Sequence, residues 1–426
     1  MDLLRQRSVA EIRADDLRTH AALAIDRCRT IAGMSDEAGR TTRTFLSPAM
    51  RTVMAQVQSW MESAGCTVWT DAAGNLRGVY AASEMPAPRL IIGSHLDTVP
   101  NAGAFDGILG VMIGLSLIEL LAGRRLPYAI ELVAFSEEEG VRFGVPFMGS
   151  RALVGRIDAA FLSKKDANGV SIAKAIGDFG LDVANLPDAA VDPSAVGYLE
   201  FHIEQGPVLE SRGVSLGIVG AIAGQTRGEV VFAGAANHAG TTPMHLRHDA
   251  VAGMAEWIAA VEQLARRVDG IVATVGRVTC TPGAVNVIAS EATASLDLRH
   301  ADDAERHAAI ERLLATARTI ADARGLRVEW HQHMEQRAVA MDSLLAQMLE
   351  TAIRQSGVAP FRMTSGAGHD AMIMAERMPA AMVFLQSPGG VSHHPAETVR
   401  QQDVAYALGT GLEFLALLQD AKDIYA

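Results

Sequence analysis

The chain has 426 residues, 49% of them hydrophobic and 20% charged, with a net charge of −12 and a pI near 5.5. That length exceeds one ordinary core, so two or three domains are expected. The acidic balance argues against nucleic acid or an anionic membrane surface as partners, while leaving room for a small anion beside local arginine or metal charge.

Met1–Arg7 lacks the apolar core of a signal peptide. Cys28, Cys66 and Cys280 are scattered and odd in number, which fits a reducing cytoplasm and not a disulfide framework. Helical periodicity runs over Val9–Ala32 and Met50–Ala64, followed by a hairpin pattern over Thr67–Ala82 that turns at Ala73-Gly74-Asn75. From Pro88 the pattern is α/β: strand Leu90–Gly93, helix Ile108–Ala122, strand Ala129–Phe135. The apolar run Gly107–Gly123 carries Glu119 and ends at Arg124-Arg125, so it reads as a buried core helix and not a membrane span. Residues 163–194 show little periodicity and read as irregular connection, before a strand over Tyr198–Ile203.

Near Leu216 the pattern changes to strand Glu229–Ala233, helix Asp249–Arg266, strand Ile271–Val278, strand Glu291–Leu298, helix Asp303–Ala323 and strand Arg327–Gln332. This βαββαβ order is that of a ferredoxin-like unit inserted into the first domain. The resulting division is 1–215 and 334–426 for the α/β domain and 216–333 for the insert. After Met334 come helix Leu344–Arg354, strand Ala381–Leu385 and helix Val404–Leu418. No repeat or low-complexity tract is present.

Metal-type side chains recur at successive strand ends: His95 with Asp106, Glu139, His202 and His393. Together they would supply a dinuclear site, two ions around a bridging aspartate, at the C-terminal edge where open α/β sheets place ligands. Asp97 lies two residues after His95, either as partner for its free ring N–H or as a turn residue beside Thr98. Three consecutive glutamates, Glu137–Glu139, raise one another's pKa unless cations are near. At the end of an apolar strand, Glu139 could ligate while Glu138 moves a proton between water and a leaving nitrogen.

Seven stretches carry a resemblance. They are Gly-Ser-His-Leu-Asp-Thr-Val-Pro (93–100), Phe-Asp-Gly (105–107), Glu-Glu-Gly-Val-Arg-Phe (138–143) and His-Ile-Glu-Gln-Gly-Pro (202–207), then Asn-His-Ala-Gly-Thr-Thr-Pro-Met (237–244), Ser-Gly-Ala-Gly-His-Asp (365–370) and Ser-His-His-Pro-Ala-Glu (392–397). The sequence resembles the dinuclear-metal peptidase/amidohydrolases, specifically the hydantoinase/carbamoylase amidases. The resemblance implies a zinc-aminopeptidase-like α/β catalytic domain with an inserted ferredoxin-like lid and dimerisation domain. It implies that His95 and His202 bind one metal, Glu139 and His393 the other, and that Asp106 bridges them. The ions would be zinc first, with manganese, cobalt or nickel as alternatives. Glu138 is the implied general acid/base, and His238 the implied oxyanion donor, reached from the partner of a homodimer formed through the insert.

Gln225, Asn286 and Arg299 match substrate-holding positions, and His369 and Gln205 join them. An arginine at a strand end backed by amides suits a carboxylate. Arg299 beside Asp297 could also be a surface ion pair, Asn286 a turn residue, and Asp370 a helix cap. His394, His245 and His248 receive no catalytic role. The implied activity is hydrolysis of the ureido C–N bond of a small N-carbamoyl carboxylate or allantoate. The rivals are an aminopeptidase or dipeptidase on the same scaffold and a catalytically silent binding protein.

Overall fold

The computed structural model describes residues 13–420. The segment Met1–Arg7 and the start of the expected first helix, Val9–Ile12, lie outside the described residues. The chain divides into two compact units: one comprises residues up to Gly220, Met341–Met363 and Gly368 onward, the other Ala221–Ala340 with Thr364–Ala367.

In the first unit the sheet runs, strand by strand, Thr67–Thr70, Leu76–Tyr80, Ala129–Phe135, Arg89–His95, Ala195–Ile203, Ala380–Leu385 and Leu216–Ile222. The central four are mutually parallel. The flanking pairs are antiparallel. Ala129–Phe135 and Ala380–Leu385 are buried at every position, which explains why they are apolar throughout, apart from Glu131 held by Arg77 and Arg89, where a half-exposed strand would alternate. His95 sits opposite Phe135 and His202 opposite Phe384, so four strands deliver their C-terminal ends to one edge.

Helix Ile108–Leu120 is buried on all faces except at Glu119, which accepts two hydrogen bonds from Arg27 at 2.9 and 2.7 Å. A helix apolar all round belongs in a core. Among the described residues no helix is long and apolar enough to cross a membrane. Gly107 precedes it with φ 71°, and a Cβ there would lie 2.5 Å from the His95 ring, so only glycine allows the turn and the imidazole to coexist.

Residues 163–194 are not irregular throughout. They hold helix Ile172–Asp178 and a 3₁₀ segment Val183–Ala189, just after a short helix Ala159–Leu162. Ile172, Ala175 and Ile176 pack with Phe45, Phe143 and Met148. These turns are too short to show a period, and Ser171 starts one of them by accepting the Lys174 N–H.

The second unit is an antiparallel sheet ordered Val278–Thr281, Glu291–His300, Gly224–Ala233, Arg327–Gln336, with Val272–Thr274 also pairing Glu291–His300. The single strand expected over Ile271–Val278 is thus two short ones. Between them Ser295 takes over: its N–H donates to the Arg277 carbonyl and its Oγ accepts the Arg277 N–H, both at 3.0 Å. Helices Ala250–Arg267 and Asp303–Arg324 cover one face, packing Trp257, Leu313 and Ala317 on Val230, Phe232, Ala294 and Leu296. Strand alternation then puts Gln225, Arg227, Asp297 and Arg299 on the opposite face.

Candidate active site

The site in the first unit begins with Asp106, 2% exposed. Its Oδ1 lies 3.3 Å from His202 Nε2 and 4.0 Å from His95 Nε2, while its Oδ2 lies 3.2 Å from His393 Nε2. Glu139 Oε1 is 3.5 Å from the same His393 nitrogen. One carboxylate therefore faces two separate donor sets, His95 with His202 and Glu139 with His393, each a group able to hold a metal ion. Glu138 joins His95 and Glu139 in a further such group.

The electrostatics fit that reading. Burial pushes the His202 imidazole down to about 4, leaving it neutral and its Nε2 lone pair available. Its Nδ1 is anchored on the Ile203 carbonyl at 2.9 Å. Burial, then the Asp106 charge, lifts the Glu139 carboxyl to about 7, and burial drives Glu138 well above the carboxylate range. Asp106 is buried too, yet the hydrogen bond with His393 and the neighbouring imidazoles hold it below its ordinary value. The ion pairs of Asp106 and Glu139 are with histidines only among the described residues. Buried carboxylates without lysine or arginine partners call for a cation. Three imidazoles and two carboxylates suit a divalent one.

Asp97 faces the His95 ring with both its backbone carbonyl and its carboxylate. His95 Nδ1 is paired with the Asp97 backbone carbonyl at 3.0 Å, with the carboxylate at 3.5 Å. The carboxylate also accepts the N–H groups of Glu138 and Glu139 at 2.9 and 3.0 Å. Gln205 donates from Nε2 to both Asp106 oxygens at 3.1 Å. His369 is buried, with its ring edge-on to His202, centroids 4.5 Å apart. Asp370 is not the helix cap; His369 occupies that position, and Asp370 accepts the Ser150 hydroxyl.

The remaining sequence-derived candidates lie in the second unit, in two pairs. Gln225 and Arg299 are direct cross-strand partners. Arg299 is held bidentately by Asp297 at 2.9 Å and donates to the Gly366 carbonyl at 2.6 Å. The ion pair named as one alternative for this residue is present, and it fixes the guanidinium. His238 pairs with Val287 in a two-strand bridge, and Ala239 N–H donates to the Asn286 carbonyl, so His238 and Asn286 are neighbours along this bridge. His238 Nδ1 accepts the Gly240 N–H, which puts the imidazole proton on the exposed Nε2.

Three supporting residues escaped the sequence reading. Arg43, fully enclosed, donates to the Leu96 and Ile31 carbonyls. Glu200 accepts from Ser94, Tyr198 and the Ala371 N–H. Glu397 accepts the Phe105 and Asp106 N–H groups. Only Glu397 lay within a motif already singled out, and a spacing rule for a carboxylate that binds distant backbone does not exist.

Imidazoles and carboxylates gathered at the parallel strand ends in the centre of a mixed sheet fit a hydrolase of the divalent-metal-binding class. Peptidase family M20/M25/M40 matches residues 91–418. An allantoate deiminase of Arabidopsis thaliana is 38% identical over 427 residues, spanning 92% of this chain and 81% of that protein. An N-carbamoyl-L-amino acid amidohydrolase of Geobacillus stearothermophilus is 40% identical over 370 residues, spanning 86% and 90%. The crystal structure of a hydantoinase/carbamoylase family amidase from Burkholderia multivorans superposes with a TM-score of 0.87 at 30% identity, covering 93% of this chain and 97% of that one. The chain belongs to the M20/M25/M40 peptidase family, in its hydantoinase/carbamoylase branch, and is an amidohydrolase.

Proposed function

We propose that this chain is a cytoplasmic amidohydrolase that cleaves the ureido C–N bond of a small carboxylate, an N-carbamoyl-L-amino acid or allantoate, with release of ammonia and CO₂. The observation that carries the reading is Asp106, one carboxylate facing two donor sets with Glu138 beside them. His95 and His202 would hold one divalent ion and Glu139 and His393 a second, zinc being the first choice by donor chemistry. When bound, the ions supply positive charge that polarises the ureido carbonyl and makes water acidic near neutral pH.

Glu138 takes the proton of the attacking water on its carboxylate and returns it to the leaving nitrogen. Asp97 keeps the Glu138–Glu139 backbone in place. His238, through its Nε2–H, donates to the oxyanion of the tetrahedral intermediate. Arg299, preset by Asp297, takes the substrate carboxylate together with its cross-strand partner Gln225, Asn286 reaches the substrate alongside its neighbour His238, and Gln205 and His369 complete the substrate contacts. The second unit's strand order supports a ferredoxin-like lid. Its exposed edge strand Val278–Thr281 and the exposed Val272 and Val285 support its use as a homodimer interface.

The test is an ammonia-release screen of allantoate, N-carbamoyl-α-amino acids, N-carbamoyl-β-alanine and ureidoglycolate with each of zinc, manganese, cobalt and nickel. Release from at least one ureido carboxylate is expected; cleavage of dipeptides without ammonia release would replace the reading by a peptidase. Glu138→Gln should retain bound metal and lose roughly 10²- to 10⁴-fold in kcat; undiminished turnover would remove Glu138 from proton transfer.

A further inference from the structure

We infer that Glu397 is a positioning residue that sets the donor geometry of Asp106, by clasping the loop that carries Asp106 to the loop that carries His393. The inference rests on the metal-binding reading proposed above. Glu397 is 5% exposed, and one of its oxygens, Oε1, accepts two consecutive backbone N–H groups, of Phe105 at 2.9 Å and of Asp106 at 3.0 Å. Its other oxygen lies 3.4 Å from Ser392 Oγ, which in turn lies 3.5 Å from Asp106 Oδ2. The Glu397 N–H donates to the His394 carbonyl at 2.9 Å, closing the turn that follows His393. His393 itself has φ 55°, an unusual conformation for a non-glycine residue.

These contacts have a consequence for chemistry as well as for folding. An aspartate side chain readily turns back onto the backbone N–H groups around it. Here the N–H groups of residues 105 and 106 are already taken by Glu397, so the Asp106 carboxylate is left to face imidazoles with both oxygens. The loop makes room for this arrangement: a Cβ on Gly103 would lie 2.4 Å from Glu397 Cβ and 2.5 Å from Oε1. Any side chain at 103 pushes the clasp out of place, which offers a second way to disturb it without touching Glu397.

Three variants test this: Glu397→Ala, Glu397→Gln and Gly103→Ala. Zn²⁺ binding to the metal-free proteins is measured by competition with a chromophoric chelator, and Co²⁺ absorption reports ligand geometry. Circular dichroism of each metal-free variant identifies any that has failed to fold, in which case the other of Glu397→Ala and Gly103→Ala decides. Glu397→Ala and Gly103→Ala should bind Zn²⁺ about 10- to 100-fold more weakly, the range for loss of a group that orients a ligand, and should change the Co²⁺ band. Glu397→Gln keeps an acceptor oxygen for both N–H groups and should recover affinity to within a few-fold. A merely structural tie would leave affinity and the Co²⁺ band unchanged in folded variants, and that result overturns the inference. So does a Gln variant as weak as Ala. Wild-type protein that takes up no ion would instead overturn the metal reading, a distinct failure visible before any variant is compared.

Discussion

Replacing Asp97 by asparagine tests whether Glu138 is held by its backbone. The Asp97 carboxylate is 1% exposed and accepts the Glu138 and Glu139 N–H groups, one on each oxygen. Asparagine keeps the shape but turns one acceptor into an NH₂ group, so one backbone N–H then faces another donor. A hydrogen bond to a charged acceptor contributes about 1.5–3 kcal/mol, which corresponds to roughly a 10- to 150-fold change in the equilibrium it biases. Because the displaced peptide belongs to Glu138 or Glu139, kcat should fall roughly 10²-fold. The ring contact of His95 uses the Asp97 carbonyl, which asparagine retains, so metal stoichiometry should stay as in the wild type. Steady-state kinetics on the best ureido substrate, with metal content measured on the same samples, decides the matter. A kcat within twofold of wild type would refute the assignment, and loss of metal with kcat per metal unchanged would return Asp97 to the role of ring partner.

Arg299→Ala should raise KM for carboxylate-bearing substrates by roughly 10- to 100-fold, the loss of a charged hydrogen-bond pair, with kcat changed less; an unchanged KM removes Arg299 from the clamp. Chelated protein should become less stable as pH rises. Burial and the Asp106 charge lift the folded-state Glu139 carboxyl from 4.5 to about 7, and burial lifts Glu200 to about 7. Groups raised in the folded state hold protons there that the unfolded chain has released. Their stabilisation is therefore complete below 4.5 and is lost as pH climbs through 7. His393, raised to about 9 by its hydrogen bond with Asp106, extends the same sign above 6.5, while His202, lowered to about 4 by burial, opposes it below 6.5. Melting curves of chelated and metal-loaded protein from pH 5 to 8 should diverge, and a chelated melting point that rises over that window would contradict the scheme.

The donors were legible because His95, His202 and Glu139 sit at or just past the end of an apolar run whose burial the sequence announces, with Asp106 and His393 in the loops that follow such runs. His95 and His202 lie on strands buried through those positions, and Glu139 follows another. Alternation over Glu291–Leu298 likewise told which side chains of the second unit turn away from its helices, and Arg299 follows from the same parity. Asp97 shows where the reading stops. Its nearness to His95 in sequence suggests the ring as partner, but its carboxylate also reaches backbone 41 and 42 residues away. Backbone N–H groups carry no side-chain signature, so a carboxylate that binds them cannot be paired from sequence. The short helices within 163–194 were illegible for a different reason: one or two turns give no period, and their burial depends on Phe45 and Phe143 from elsewhere in the chain.

One device recurs around the site. Asp97 holds the N–H groups of Glu138 and Glu139, Glu397 those of Phe105 and Asp106, Glu200 that of Ala371, and Glu204 those of Val208 and Leu209. Each is a carboxylate fastening backbone N–H groups, and the first three hold the segments that carry the metal-type side chains or the proposed substrate contact His369. The arrangement gives position at the expense of charge, since every such carboxylate adds negative potential to an enclosed region. On top of burial, Asp97 raises the Glu138 and Glu139 carboxyls, and Glu200 raises Asp370. Among the described residues the ion pairs of Asp106 and Glu139 are with histidines only, so bound divalent cations would offset that potential. On the proposed reading, metal would then do more than prepare water: it would also stabilise the carboxylate framework around Glu138 and Asp106. Removing it should loosen the loops after Phe135 and before Ile108 together, even though they are separated along the chain.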